Sequence, residues 1–237
     1  MKTRTKQFFF LFLLAATIAS AHSPEFTDQF FEESCNFTST GRNPYFILVP
    51  GHEIVLEGDD EGELLRVVIT VLDKTKIVDG VETRVVKERE TIDGELVEIS
   101  RNYFAICKKT NSVFYFGEDV DIYENGEIVS HDGAWRAGVN GARPGIIMPG
   151  TVLIGARYFQ ETAQGVALDR AEITRLDAAI TTPFGHLTDL LKTKETTPLE
   201  PGHVSIKFYA RGIGLIKDGT AELISFDTSA SAVDADQ

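Results

Sequence analysis

From Tyr45 onward, short runs of apolar residues alternate with polar ones at a period of two, interrupted by turn-forming pairs. The runs 65–78 (LRVVITVLDKTKIV), 81–92 (VETRVVKERETI), 95–106 (ELVEISRNYFAI), 112–117, 120–124 and 127–131 are rich in β-branched and aromatic residues. Asp79-Gly80, Asp93-Gly94, Asn125-Gly126 and Asp132-Gly133 separate them, and such pairs supply the positive φ of tight hairpin turns. Val85, Lys87 and Arg89 against Val86, Glu88 and Glu90 is the pattern of a sheet with one wet face. The pattern predicts an all-β fold: a curved antiparallel sheet or open β-barrel of roughly a dozen strands, with few helices. The best helical candidate is Phe184–Lys192, whose Leu-rich end reads equally well as a strand.

Residues 133–150 (GAWRAGVNGARPGIIMPG) break the rhythm with five glycines, two prolines and the only Trp. Such a stretch is either a functional loop or a strained crossover between sheets. Strand-like runs resume at 152–162, 166–180, 203–210, 214–217 and 221–226, with Asp218-Gly219 turning between the last two.

The first 21 residues read differently. Lys2, Arg4 and Lys6 precede an apolar run from Phe8 to Ile18, and Ala19-Ser20-Ala21 gives the small-x-small pattern of signal-peptidase cleavage before His22. This 11-residue stretch, broken only by Thr17, is short of the roughly 20 that span a bilayer. The expected organisation is a signal peptide (1–21), a loose lead (22–43), a single β domain (44–227) and a disordered tail (228–237). After cleavage no integral membrane segment is expected, and with no lipid-attachment Cys the mature product is expected to be soluble. Cleavage strips three basic groups and no acidic ones, so the formal charge moves from −13 to −16. That balance argues against nucleic acid or anionic lipid surfaces as partners. It is compatible with cationic ligands, although acidity most often serves solubility.

Cys35 and Cys107 are the only cysteines. In an oxidising compartment they form a disulfide candidate, the alternative being two free thiols. Asn36-Phe37-Thr38 matches the N-glycosylation sequon. Asp121 to Asp132 partly matches a calcium loop, but Tyr123 stands where a short oxygen ligand is required, and a hairpin turning at Asn125-Gly126 explains the same residues. The acidic run 57–63 reads as an exposed turn. His52, His131, His186 and His203 have no metal-ligand spacing, and no metal or other cofactor is implied. No G-x-S-x-G or H-E-x-x-H is present. Carboxylates such as Glu161, Asp169 and Glu172 are plentiful, but a glycosidase pair is defined in space and cannot be read from order. The candidate ligand-binding residues are those of the glycine-rich segment, taken as a lid: Trp135 and Met148 for apolar contact, Arg136 and Arg143 for an anionic group.

Several blocks resemble a family of exported bacterial β-rich proteins of unassigned function: Asn43-Pro44-Tyr45-Phe46, Pro50-Gly51, Tyr115-Phe116-Gly117-Glu118-Asp119, Gly138-Val139-Asn140-Gly141-Ala142, Pro144 to Pro149, and Tyr209 to Ile216. The resemblance covers about 43–226. Val113-Phe114 and Ala105-Ile106-Cys107 depart from it, where Val-Trp and Ala-Gln-Asp are expected. It implies a bacterial source and a periplasmic or secreted location, and brings no catalytic residues. The portion from Thr181 to Gly219 is similar to periplasmic carrier-like β domains whose curved sheet holds an apolar ligand. The expected function is therefore a binding or carrier-like protein for a small apolar or aromatic ligand or lipid. The alternatives are a structural envelope protein and an extracytoplasmic hydrolase using Asp/Glu acid–base residues.

Overall fold

The computed structural model describes residues 25–228. The segment 1–21, expected to be a signal peptide, and the tail beyond residue 228 lie outside the described residues. One turn of 3₁₀ helix, Glu32–Ser34, is followed by β1 (Phe37–Thr38), β2 (Gly41–Asn43) and β3 (Phe46–Leu48). A meander of long strands comes next: β4 (Glu53–Asp60), β5 (Glu63–Val78), β6 (Val81–Ile92), β7 (Glu95–Cys107) and β8 (Val113–Glu124). Three short strands then return against β8: β9 (Glu127–Ser130), β10 (Trp135–Arg136) and β11 (Arg143–Met148). The rest is β12 (Arg157–Phe159), β13 (Glu161–Thr162), β14 (Arg170–Thr182), β15 (Gly185–Thr196), β16 (Ser205–Ala210), β17 (Gly214–Asp218) and β18 (Ala221–Asp227). No helix among the described residues is long and apolar enough to cross a membrane.

The main path of the sheet runs β12-β14-β15-β16-β17-β18-β4-β5-β6-β7-β8-β11-β13, thirteen antiparallel strands nearly closed into a barrel, with β2 and β3 as a small second sheet. Its two edge strands are halves of one stretch. Residues 157–159 pair with β14, residues 161–162 pair with β11, and Gln160 alone divides them. A single segment thus serves both edges, which would otherwise present unpaired backbone groups. Close approach at this seam requires Gly145: a β-carbon there would lie 2.5 Å from the Phe159 carbonyl oxygen.

The predicted hairpin turns sit where the sequence puts them. Asp79-Gly80, Asp93-Gly94 and Asn125-Gly126 all have positive φ and join strands in two-residue turns. The last turn is shifted by one residue, to Gly219-Thr220, because Asp218 stays in β17, where its carboxylate pairs with Lys207 at 3.0 Å. Of Phe184–Lys192, all but the turn residue Phe184 is strand, with Leu190 and Leu191 buried. Residues 133–150 differ from the expected long connection: Trp135–Arg136 and Arg143–Met148 are strands, and the glycines between them make a turn. This segment is part of the barrel wall.

Lead residues lie over the outer face. The Cys35–Cys107 disulfide and the pairing of Phe37 with Cys107 fix them to β7, and the Phe37 ring meets those of Phe114 and Phe116 edge-on at 5.3 and 5.2 Å. Thr27 bridges to Tyr158 at the seam. The bridge closes a 72-residue separation. Cys35→Ser/Cys107→Ser is expected to cost about 2–4 kcal/mol, read from urea unfolding of the two forms. Equal midpoints would show that the lead is held without it.

Candidate functional site

A half-open cavity of about 270 Å³ occupies the barrel interior. Its polarity changes along the strands. On β6 the inward residues run from Val86 to Glu88, on β7 from Phe104 to Asn102, and on β16 from Tyr209 to Lys207. The apolar part is completed by Phe46, Ile54, Ile69, Val71 and Leu215. The polar part gathers Glu88, Glu118, Glu161, Asp169 and Glu195 around one ammonium, Lys207.

The Asn43-Pro44-Tyr45-Phe46 block closes the apolar part. Asn43 is fully buried; its amide donates to the carbonyls of Asn111 (2.9 Å) and Pro149 (3.0 Å), while its Oδ1 accepts from the Tyr45 N–H (2.9 Å). The block packs Phe46 against Phe104, with ring centroids 4.9 Å apart. His52 lies beside it, its Nε2–H donating to the Ile213 carbonyl at 2.8 Å. Burial holds His52 below the usual imidazole range, against the opposing effect of its backbone hydrogen bonds to Ile213 and Asp227. At the polar part, Asp169, Glu195 and Lys207 also line a second recess of about 280 Å³ with Thr197, His203 and Asp218.

A β-bulge aims two of the polar residues. Asn102 pairs with Glu118 but Phe104 pairs with Tyr115, so β8 carries an extra residue there. Tyr115 and Glu118 consequently both face inward although three positions apart. Gly117 makes this possible: its φ is +142°, and a β-carbon would lie 2.5 Å from the Trp135 carbonyl oxygen. Tyr115 donates to Asn102 Oδ1 at 2.6 Å, and its ring meets that of Trp135 edge-on at 5.2 Å.

Desolvation shifts Glu88, Glu118, Glu161 and Asp169 toward their neutral form. Burial, reinforced by the charge of Glu90, pushes Glu88 up to about 8. Burial also pushes Glu118 up to about 7 against the hydrogen bond to Tyr115 that opposes it. Glu161 is raised well above the carboxylate range by burial and by Asp169, although one of its oxygens accepts the Asp169 backbone N–H. Burial works against the charge of Lys207, but Glu195 at 3.2 Å and Asp218 at 3.0 Å more than offset it.

Trp135 lines the cavity, whereas Arg136, Arg143 and Met148 lie elsewhere. Arg136 pairs with Asp119, which also accepts from Tyr103 (2.6 Å) and Lys76 (3.3 Å) in a cluster on the opposite face of the sheet. Arg143 pairs with Asp28 at 3.3 Å at the surface, and Met148 is fully buried in the core. The residues 121–132 form the β8–β9 hairpin, where His131 Nδ1 lies 2.7 Å from the Val120 carbonyl. Sequence reasoning missed Glu88, Glu118, Gln160, Glu195 and Lys207 as site residues. One readable signal was Gly117 at the end of the apolar run Val113–Phe116, since an isolated strand glycine marks a bulge or a close backbone approach. No protein-family model, curated protein or solved structure matches the chain.

Unfolded glutamate titrates near 4.5, so from there to about 8 the folded chain holds protons that the unfolded chain has released. Stability therefore falls as pH rises through that window and levels off above it. Glu88→Gln is expected to raise the melting temperature by about 5 °C at pH 8 and to change it by less than about 2 °C at pH 4.5. Equal shifts at the two pH values in a thermal melt would contradict the assignment.

Proposed function

We propose that this is an exported binding or carrier-like protein that holds one small, largely apolar ligand inside its barrel. The observation that carries the reading is the polarity of the cavity: an apolar pocket closed by the Asn43–Phe46 block, grading into a cluster of carboxyls among which Glu88, Glu118 and Glu161 are shifted toward the neutral form by desolvation. Ligand pockets of this kind are mostly apolar with a few placed polar groups that set orientation. The amino-terminal apolar segment supports export. The disulfide is compatible with an oxidising compartment.

The gathering of Glu118, Glu161 and Asp169 in the same cavity favours a second reading, acid–base hydrolysis. The two make different demands. A carrier returns its ligand unchanged after prolonged incubation, whereas a hydrolase converts it.

Displacement of an apolar fluorophore tests the main reading. Val86→Phe, which adds bulk to the cavity wall, is expected to weaken fluorophore binding about tenfold while the protein stays folded by circular dichroism. Undiminished binding to a folded Val86→Phe protein would mean that the fluorophore sits elsewhere, and would count against the barrel as the site.

A further inference from the structure

A row of aromatic rings runs along the cavity. Phe46 meets Phe104 with centroids 4.9 Å apart, Phe104 stacks on Tyr115 at 4.8 Å, and Tyr115 meets Trp135 at 5.2 Å. All four residues line the same space. Trp135 is the cross-strand partner of Glu118, so the row ends beside an acid.

Acids recur along the interior from there. Side chains alternate between faces along a strand, so Glu88 and Asn102, which line the cavity, share their face with Glu90 and Glu98. Glu90 and Glu98 are direct cross-strand partners, and Glu90 is hydrogen-bonded to Glu88. Like charges set opposite one another destabilise a ladder. The one Lys or Arg among the described lining residues, Lys207, is already engaged by Glu195 and Asp218. Acidity that serves solubility belongs on the outside, so it does not account for this wall.

The possible occupants meet these two walls differently. A metal ion needs ligands that converge on a point, and among the described residues no three acids, histidines or cysteines are placed to hold one. An anion meets the surplus of carboxyls. A neutral apolar molecule fits the rings but leaves that surplus uncompensated. An organic cation uses both walls, since aromatic rings and carboxylates each attract an ammonium. The volume of about 270 Å³ limits it to a small molecule.

Building on the binding reading above, we propose that the ligand is a small organic amine, its apolar body against the row from Phe46 to Trp135 and its ammonium facing Glu88 and Glu118. Desolvation shifts both acids toward the neutral form, and a bound ammonium draws them back to the charged one.

Three probes of one shape test this by fluorescence or calorimetric titration: naphthylmethyl-trimethylammonium, its uncharged carbon isostere neopentylnaphthalene, and the anion naphthylacetate. The cation is expected to bind at least about tenfold more tightly than either of the others. Glu88→Gln and Glu118→Gln should each weaken the cation severalfold and leave the isostere within about twofold, a split that a merely structural effect would not produce. Glu124→Gln, which removes the same charge from an exposed hairpin, should change neither. Equal affinity for cation and isostere would overturn the amine inference while the binding reading stands, as would preference for naphthylacetate. Failure of all three to bind the folded protein would overturn both.

Discussion

A sheet that curves back on itself must satisfy the backbone groups of both its edges, and here residues 157–162 do so for β14 on one side and β11 on the other. The change of partner falls at Gln160. That junction turns the Gln160 amide into the interior and sets Glu161 beside it, both buried. Gly145 lets the facing backbones approach, and Thr27 of the lead bridges to the same segment. The cavity exists because the sheet closes, and its most polar wall lies where it closes.

Placing acids there opposes stability. Glu161 is buried and Glu88 and Glu118 are half-buried, none with a full set of countercharges, and desolvation shifts each toward its neutral form. Lys207 behaves differently because Glu195 and Asp218 both reach it. A core of this size could be filled with aliphatic side chains, as the other cluster around Leu56, Leu190, Ile216 and Leu223 is. Retaining carboxyls in the cavity is the kind of local inconsistency that marks a functional region. The arginines of the glycine-rich segment are used otherwise: Arg136 joins Asp119, Tyr103 and Lys76 on the far face of the sheet.

Much of the fold was legible because its signals are local. Asp79-Gly80, Asp93-Gly94 and Asn125-Gly126 dictate hairpins through their own φ preferences, and alternation in β6 and β7 sets which residues face inward. The site was less legible because it depends on contacts distant in sequence. Glu88 and Lys207 look like exposed strand residues until closure brings β6 and β16 into one wall. In 133–150 the glycine content suggested a loop, yet Arg143–Met148 pairs with β8 on one side and β13 on the other. Trp135 was legible as a candidate, and the bulge beside it was signalled only by the isolated glycine at Gly117. The Asn43–Phe46 block could be noticed as a motif; its role as the closure of the cavity needed the partners of Asn43, which lie 68 and 106 residues away.

Native mass spectrometry of the protein as isolated from the cells that make it tests the central claim most directly. The account predicts a stoichiometric adduct of a few hundred daltons, extractable into organic solvent. Protein that carries the bare polypeptide mass under conditions that preserve non-covalent complexes, and stays bare after incubation with an extract of the same cells, would contradict it.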